Sequence, residues 1–177
     1  EGIQMRNTFD RFNGRHQDYQ AARPSYAQEF LDWLGELYAP PERYTAADIG
    51  SGTGKLSAQL LAAGFRVCGV EPNPDMRGAA EALLGGDPRF SSSNGTDHDT
   101  GLPDRSVDMV AAAQAFHWFD GPAFARECRR ILRPGGRAVL VWNVRGSAPM
   151  NQALAQVFRE HCPSFHGFTG GMGEDDP

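Results

Sequence analysis

The chain has 177 residues, enough for one domain that buries a single core between a sheet and flanking helices. Hydrophobic residues make up 40% and charged residues 22%, an ordinary balance that argues against disorder and against a membrane protein, and apolar runs such as 137–144 are far too short to cross a bilayer. A net charge of −5 leaves no basic footprint for nucleic-acid backbone.

The first residues are polar and charged, so no secretory signal is expected there. Ser25-Tyr26-Ala27-Gln28 has capping-box spacing and is expected to open a helix with Phe30, Leu34 and Leu37 on one face. Residues 1–40 are therefore read as an appended helical segment, 41–145 as the core, and 146–177 as a helix followed by the start of a C-terminal region.

From residue 45 onward short apolar runs alternate with helical patterns, the signature of a parallel sheet with crossover helices. Strands are expected at 45–49, 66–70, 89–92, 107–113 and 137–144. The first helix of this part, 54–63, carries Leu56, Leu60 and Leu61 and stops at Gly64. The next is announced by Asn73-Pro74-Asp75, an N-cap, first-turn proline and first-turn acid, with Met76, Leu83 and Leu84 inward. Asp120 is expected to cap a helix with the stripe Phe124, Cys128, Ile131 and Leu132, ended by Pro134-Gly135-Gly136. Arg129, Arg130 and Arg133 cluster at the end of that helix, where cations favour the dipole. A last helix is expected over 148–161. The Gly- and Asp-rich ending has no apolar runs for further strands, so the sheet edge is expected to be met by a missing C-terminal portion or by a partner chain, as in a homodimer.

Cys68, Cys128 and Cys162 are widely separated and form neither a zinc spacing nor a disulfide framework, so no metal is expected and a reducing cytoplasm is the simplest location.

Asp48-Ile49-Gly50-Ser51-Gly52-Thr53-Gly54 lies between an expected strand and an expected helix. Such a turn at the carboxyl edge of a parallel sheet is where ligands bind, and glycine lets backbone approach a nucleotide closely. A P-loop needs four residues between its first glycine and Gly-Lys; here there are three between Gly50 and Gly54, and Leu56 follows the lysine. The dinucleotide fingerprint fails at position 55, which is Lys. Lys55 is read as a solvated helix residue. Glu71 ends the second strand, where a carboxylate can accept hydrogen bonds from both ribose hydroxyls. An analogue without those hydroxyls is then expected to be insensitive to removal of Glu71.

In its ordered motifs the chain resembles class I S-adenosylmethionine (SAM)-dependent methyltransferases, in particular the type 11 subgroup related to trans-aconitate methyltransferases. The resemblance is carried by Tyr19-Gln20-Ala21-Ala22-Arg23-Pro24, the glycine loop, Val70-Glu71-Pro72-Asn73, Gly101-Leu102-Pro103-Asp104-Arg105-Ser106-Val107-Asp108, Phe116-His117-Trp118-Phe119-Asp120 and Leu132-Arg133-Pro134-Gly135-Gly136. It implies a Rossmann-like three-layer α/β sandwich with a mostly parallel sheet that lacks the last strands of the full fold. It also implies SAM as cofactor and S-adenosylhomocysteine (SAH) as product. By resemblance Gly50, Ser51 and Gly52 line the methionine and ribose portion, Glu71 takes the ribose, and Pro72 with Met76 covers the adenine face. The segment Gly95-Thr96-Asp97-His98 meets the adenine edge; relatives carry Ala-Glu where this chain has Asp97-His98, and either side chain can accept the adenine amino group. Gln114 follows the fourth strand beside the cofactor. A small-molecule acceptor would be held near Tyr19, Gln114, His117 and Trp118.

His117 is the natural candidate for a base, its alternative being a packing role. In-line methyl transfer from a sulfonium can proceed on positioning without a base. Trp118 and Phe119 would wall the pocket. A nicotinamide oxidoreductase is disfavoured by Lys55 and by Pro72-Asn73-Pro74; a non-catalytic SAM-binding or interaction module is the other alternative, since fold does not fix function.

Overall fold

The computed structural model describes residues 25–143. In chain order the elements are α1 (Gln28–Leu37), a 3-10 turn at Pro41–Arg43, β1 (Thr45–Ile49), α2 (Lys55–Ala62), β2 (Arg66–Val70) and α3 (Pro74–Leu84). There follow β3 (Phe90–Ser93), β4 (Val107–Ala113), a 3-10 turn at Phe116–Trp118, α4 (Gly121–Ile131) and β5 (Leu132–Val141). Tyr19 and the helix expected over 148–161 lie outside the described residues. Val141 begins a second compact unit, of which the described residues reach only Asn143.

The strands form one sheet in the order β3-β2-β1-β4-β5. β1 runs parallel to β2 and to β4, and β2 parallel to β3. This is the mostly parallel Rossmann-like arrangement that the alternating pattern implies. Strand order reverses between β1 and β4, and a crevice opens outside the carboxyl ends of the strands at such a reversal. Register places it closely. Ile49 pairs with Val70 and Val70 with Ser93, so the chain leaves three strands on one edge, at Gly50, Glu71 and Asn94.

Both faces of the central strands are covered, which is why their sequences are mostly apolar rather than alternating. On one face Ala47, Ile49, Cys68, Val70, Val110 and Ala112 pack against Phe124, Cys128 and Ile131 of α4. Alternation puts Ala46, Asp48, Val67 and Met109 on the other face. α1 docks through Leu31 and Leu34, and Tyr38 beyond its end meets the rings of Tyr44 and Phe65 at 5.1 and 5.7 Å.

Four local expectations are corrected. Ser25 does not cap α1: the N-cap is Ala27 without a side-chain bond, and Gln28 Nε2 donates instead to Asp32 Oδ1 at 2.8 Å. Leu83 faces solvent, 56% exposed, and Ala80 takes its place beside Met76 in the buried stripe of α3. β3 sits one residue later than expected. β5 begins at Leu132 rather than Arg137, because Pro134-Gly135-Gly136 belongs to the strand itself. A Cβ on Gly136 would lie 2.8 Å from the Asp108 carbonyl oxygen, so glycine there permits close strand approach instead of ending an element. Val144, the expected end of that strand, lies outside the described residues. No helix among the described residues is long and apolar enough to cross a membrane.

Candidate functional site

The crevice at the reversal is a cavity of about 1090 Å³, its solvent-open mouth included. Its floor is the glycine loop. Gly50 N–H and Ser51 N–H both donate to the Val70 carbonyl, at 2.8 and 3.2 Å, and Gly54 N–H closes the turn on Ser51 O at 2.9 Å. Gly50, Gly52 and Gly54 all have positive φ, at 70°, 57° and 82°, a conformation that only glycine adopts freely. Their surroundings differ. A Cβ on Gly50 would lie 2.8 Å from Ala115 Cβ, and one on Gly54 2.9 Å from Leu84 Cδ1, whereas one on Gly52 would meet nothing within 4 Å. Gly50 and Gly54 are therefore glycine for packing, and Gly52 faces the cavity.

Glu71 braces this loop. Its Oε2 accepts from Gly52 N–H and its Oε1 from Asn73 N–H, each at 2.9 Å. Burial raises the pKa of Glu71, while those two backbone bonds and the nearby Arg77 pull it down. Each carboxylate oxygen keeps a lone pair for a further donor. Asn73 then caps α3, Oδ1 accepting from Asp75 N–H and Met76 N–H at 3.0 Å. Pro72 and Met76 add apolar wall.

Asp48 is 1% exposed and lines the same cavity. Its Oδ2 accepts from Ser57 Oγ at 2.7 Å, and its Oδ1 is buried without a partner. Burial, opposed by the Ser57 bonds and helped by the charge of Glu71, raises the Asp48 pKa from 3.8 to about 6. Folding thus favours the neutral acid. The stability this confers is full below the ordinary value of 3.8 and is lost as pH rises through about 6. The loss amounts to about 3 kcal/mol at most. We expect the ligand-free melting temperature to fall between these pH values and Asp48→Asn to flatten the profile; a parallel profile in the variant would assign the titration to another group.

Asp97 lines the cavity from the segment after β3. Its Oδ2 accepts from Asp120 N–H at 3.0 Å, tying that segment to the cap of α4, and His98 Nδ1 lies 3.0 Å from its Oδ1. The segment is also held from below: buried Glu127 on α4 accepts from Thr100 N–H and Oγ1 at 2.9 and 2.6 Å. Glu127 further binds Arg130, whose guanidinium, with the Thr100 bonds, holds the Glu127 pKa down at about 2. Gln114 sits past the end of β4 at φ 56°, a conformation costly for a non-glycine residue and concentrated at functional sites. Trp118, 50% exposed, and Phe119 complete the wall. Phe119 is anchored by Phe116 and Phe124, ring centroids 6.1 and 5.1 Å away.

Of the residues expected from sequence, Gly50, Ser51, Gly52, Glu71, Pro72, Met76, Asp97, Gln114 and Trp118 come together around one cavity. His98 and His117 are not in its lining; the ring of His117 lies beside that of Trp118, centroids 4.9 Å apart. Tyr19 lies outside the described residues. Lys55, expected in solvent, is half-buried and lines the cavity at the first turn of α2. Tyr26 also lines it, 8% exposed. Its backbone N–H and carbonyl are bonded by Gln59, far along the chain, a pairing that no local motif marks.

A Rossmann-like sheet with a glycine-floored cavity at its point of reversal defines a class of small-molecule-binding α/β domains. Residues 47–140 match the methyltransferase domain family, and the chain belongs to that family. An uncharacterised methyltransferase of Mycobacterium tuberculosis is 42% identical over 127 residues, 72% of this chain and 49% of that protein. One from Schizosaccharomyces pombe is 31% identical over 147 residues, 82% and 57% of the two chains. Among solved structures, a type II methyltransferase from Anaeromyxobacter dehalogenans is 35% identical with a TM-score of 0.62, covering 78% of this chain and 57% of its own. A SAM-dependent methyltransferase from Aquifex aeolicus, 18% identical with a TM-score of 0.57 over 75% of this chain and 78% of its own, shares the fold. The chain spans about half the length of the curated relatives it matches.

Proposed function

We propose that this domain binds SAM in the cavity above Gly52 and serves methyl transfer to a small-molecule acceptor. The observation that carries this reading is the combination at the loop: open space over Gly52, next to a braced but unsaturated Glu71 and a buried Asp48 oxygen with no partner. The residues suit the cofactor part by part. Glu71 has acceptor capacity for ribose hydroxyls, Pro72 and Met76 give an apolar face for adenine, and Asp97 meets its edge. Asp48 Oδ1 is an acceptor for an ammonium group, and it ionises most readily when a cation arrives. When bound, SAM would supply an electrophilic methyl on a sulfonium, which the acceptor nucleophile would take in line as the sulfur leaves as the neutral thioether of SAH.

The protein's part is then to orient both molecules and to exclude water, with Gln114, Trp118 and Phe119 on the acceptor side. His117 enters as the neighbour that backs Trp118, and a proton-accepting duty for it rests on the motif resemblance. That the acceptor is of the kind used by trans-aconitate methyltransferase relatives belongs to the same proposal and rests on the same motifs.

Calorimetry with SAH, SAM and NADH tests the cofactor. SAH and SAM are expected to bind and NADH to give no heat; the reverse pattern overturns the reading. The affinity for SAM is expected to rise with pH between about 5 and 7, as Asp48 loses its proton to solvent and its carboxylate becomes free to pair with the ligand's ammonium group. A flat profile removes Asp48 from the ammonium site.

A further inference from the structure

We propose that Gln59, which lies in neither the glycine loop nor the cavity lining, is a positioning residue that seats Tyr26 in the cavity wall. Tyr26 precedes α1 and belongs to no helix or strand, yet it is 8% exposed and lines the cavity. One side chain bonds both of its backbone groups. Tyr26 N–H donates to Gln59 Oε1 at 3.1 Å, and Gln59 Nε2 donates to the Tyr26 carbonyl at 3.1 Å. A primary amide can satisfy both backbone groups of one residue at once, because it carries a donor and an acceptor side by side. It pairs with Tyr26 as a neighbouring strand would.

The anchor's location gives the pairing its consequence. Gln59 stands on α2, whose N-cap is Gly54, the last glycine of the loop. Loop and Tyr26 are thus referenced to one rigid helix, and a ligand touching both meets a wall whose spacing α2 fixes. α1 itself has independent anchors in Leu31 and Leu34. Removing the amide therefore takes away both of these backbone bonds of Tyr26 and leaves the helix docked.

The test uses SAH as its probe and for that arm rests on the cofactor reading above. Gln59→Ala is expected to weaken SAH binding about five- to tenfold. In a Tyr26→Ala background the same replacement should add nothing, since no ring remains to be positioned. Additive losses, or an unchanged affinity in the single variant, overturn the proposal. Gln59→Glu supplies a second readout. Near pH 8 its carboxylate cannot donate to the Tyr26 carbonyl, whereas at about pH 4, below the ordinary glutamate value of about 4.3, the protonated acid restores donor and acceptor together. The affinity deficit relative to wild type should shrink on acidification, and a deficit independent of pH counts against the pairing. Hydrogen exchange needs no ligand: Gln59→Ala should speed exchange at the Tyr26 amide at least about tenfold by removing its acceptor. An unchanged rate there overturns the seating whatever SAH does, while failure of the wild type to bind SAH, with the exchange arm intact, refutes the cofactor reading alone.

Discussion

Gly52→Val is expected to abolish SAH binding, a loss of at least about a hundredfold, in a protein that still folds. The two halves of that result have separate causes. Gly52 sits at φ 57°, so valine there costs about 1–3 kcal/mol of backbone strain, which lowers the melting temperature without unfolding an ordinary domain. Its Cβ meets no protein atom within 4 Å, so there is no packing clash to add. The branched methyls instead fill the space a nucleoside would need above the loop. The backbone N–H survives the replacement and can still donate to Glu71. Gly50→Val is the contrasting control: its Cβ would lie 2.8 Å from Ala115 Cβ and 3.3 Å from Phe119 Cζ, and this variant is expected to fold poorly. Calorimetry on a folded Gly52→Val protein with wild-type affinity would place the ligand elsewhere.

The sequence carried those features that local chemistry decides. β1, β2 and β4 have the bounds expected of them, because strands covered on both faces are predominantly apolar along their length. α3 was legible from Asn73-Pro74-Asp75 for the same reason: the cap is made by Asn73 Oδ1 with N–H groups two and three residues away. The strand-end residues of the cavity followed, since the register that aligns Ile49, Val70 and Ser93 also aligns what comes after them. Where distant parts of the chain decide, the reading failed. Ser25 has the spacing of a capping residue, but the backbone beside it is taken by Gln59, 33 positions away. Pro134-Gly135-Gly136 resembles a turn, yet the contact that calls for Gly136 is with Asp108 on β4. Lys55 looked solvated on helical periodicity alone, which says nothing of a cavity that the turn before it creates.

Glu71 is where the structure changes a sequence-level expectation most usefully. As a simple ribose acceptor, its loss should leave an analogue lacking both hydroxyls unaffected. Its two oxygens are instead already engaged with Gly52 N–H and Asn73 N–H at 2.9 Å, so Glu71→Ala unpins the loop floor as well as losing ribose contacts. A bond to a charged group contributes about 1.5–3 kcal/mol. We therefore expect Glu71→Ala to weaken SAH about a hundredfold, and its 2′,3′-dideoxy analogue, which feels only the slackened loop, about tenfold. Glu71→Gln gives no rescue, because its amide must turn an NH2 toward one of the two backbone N–H donors. The ratio of the two losses separates the roles. A dideoxy analogue wholly insensitive to Glu71→Ala shows that the loop holds its shape without the brace, and equal losses for both ligands show that Glu71 does not touch the ribose.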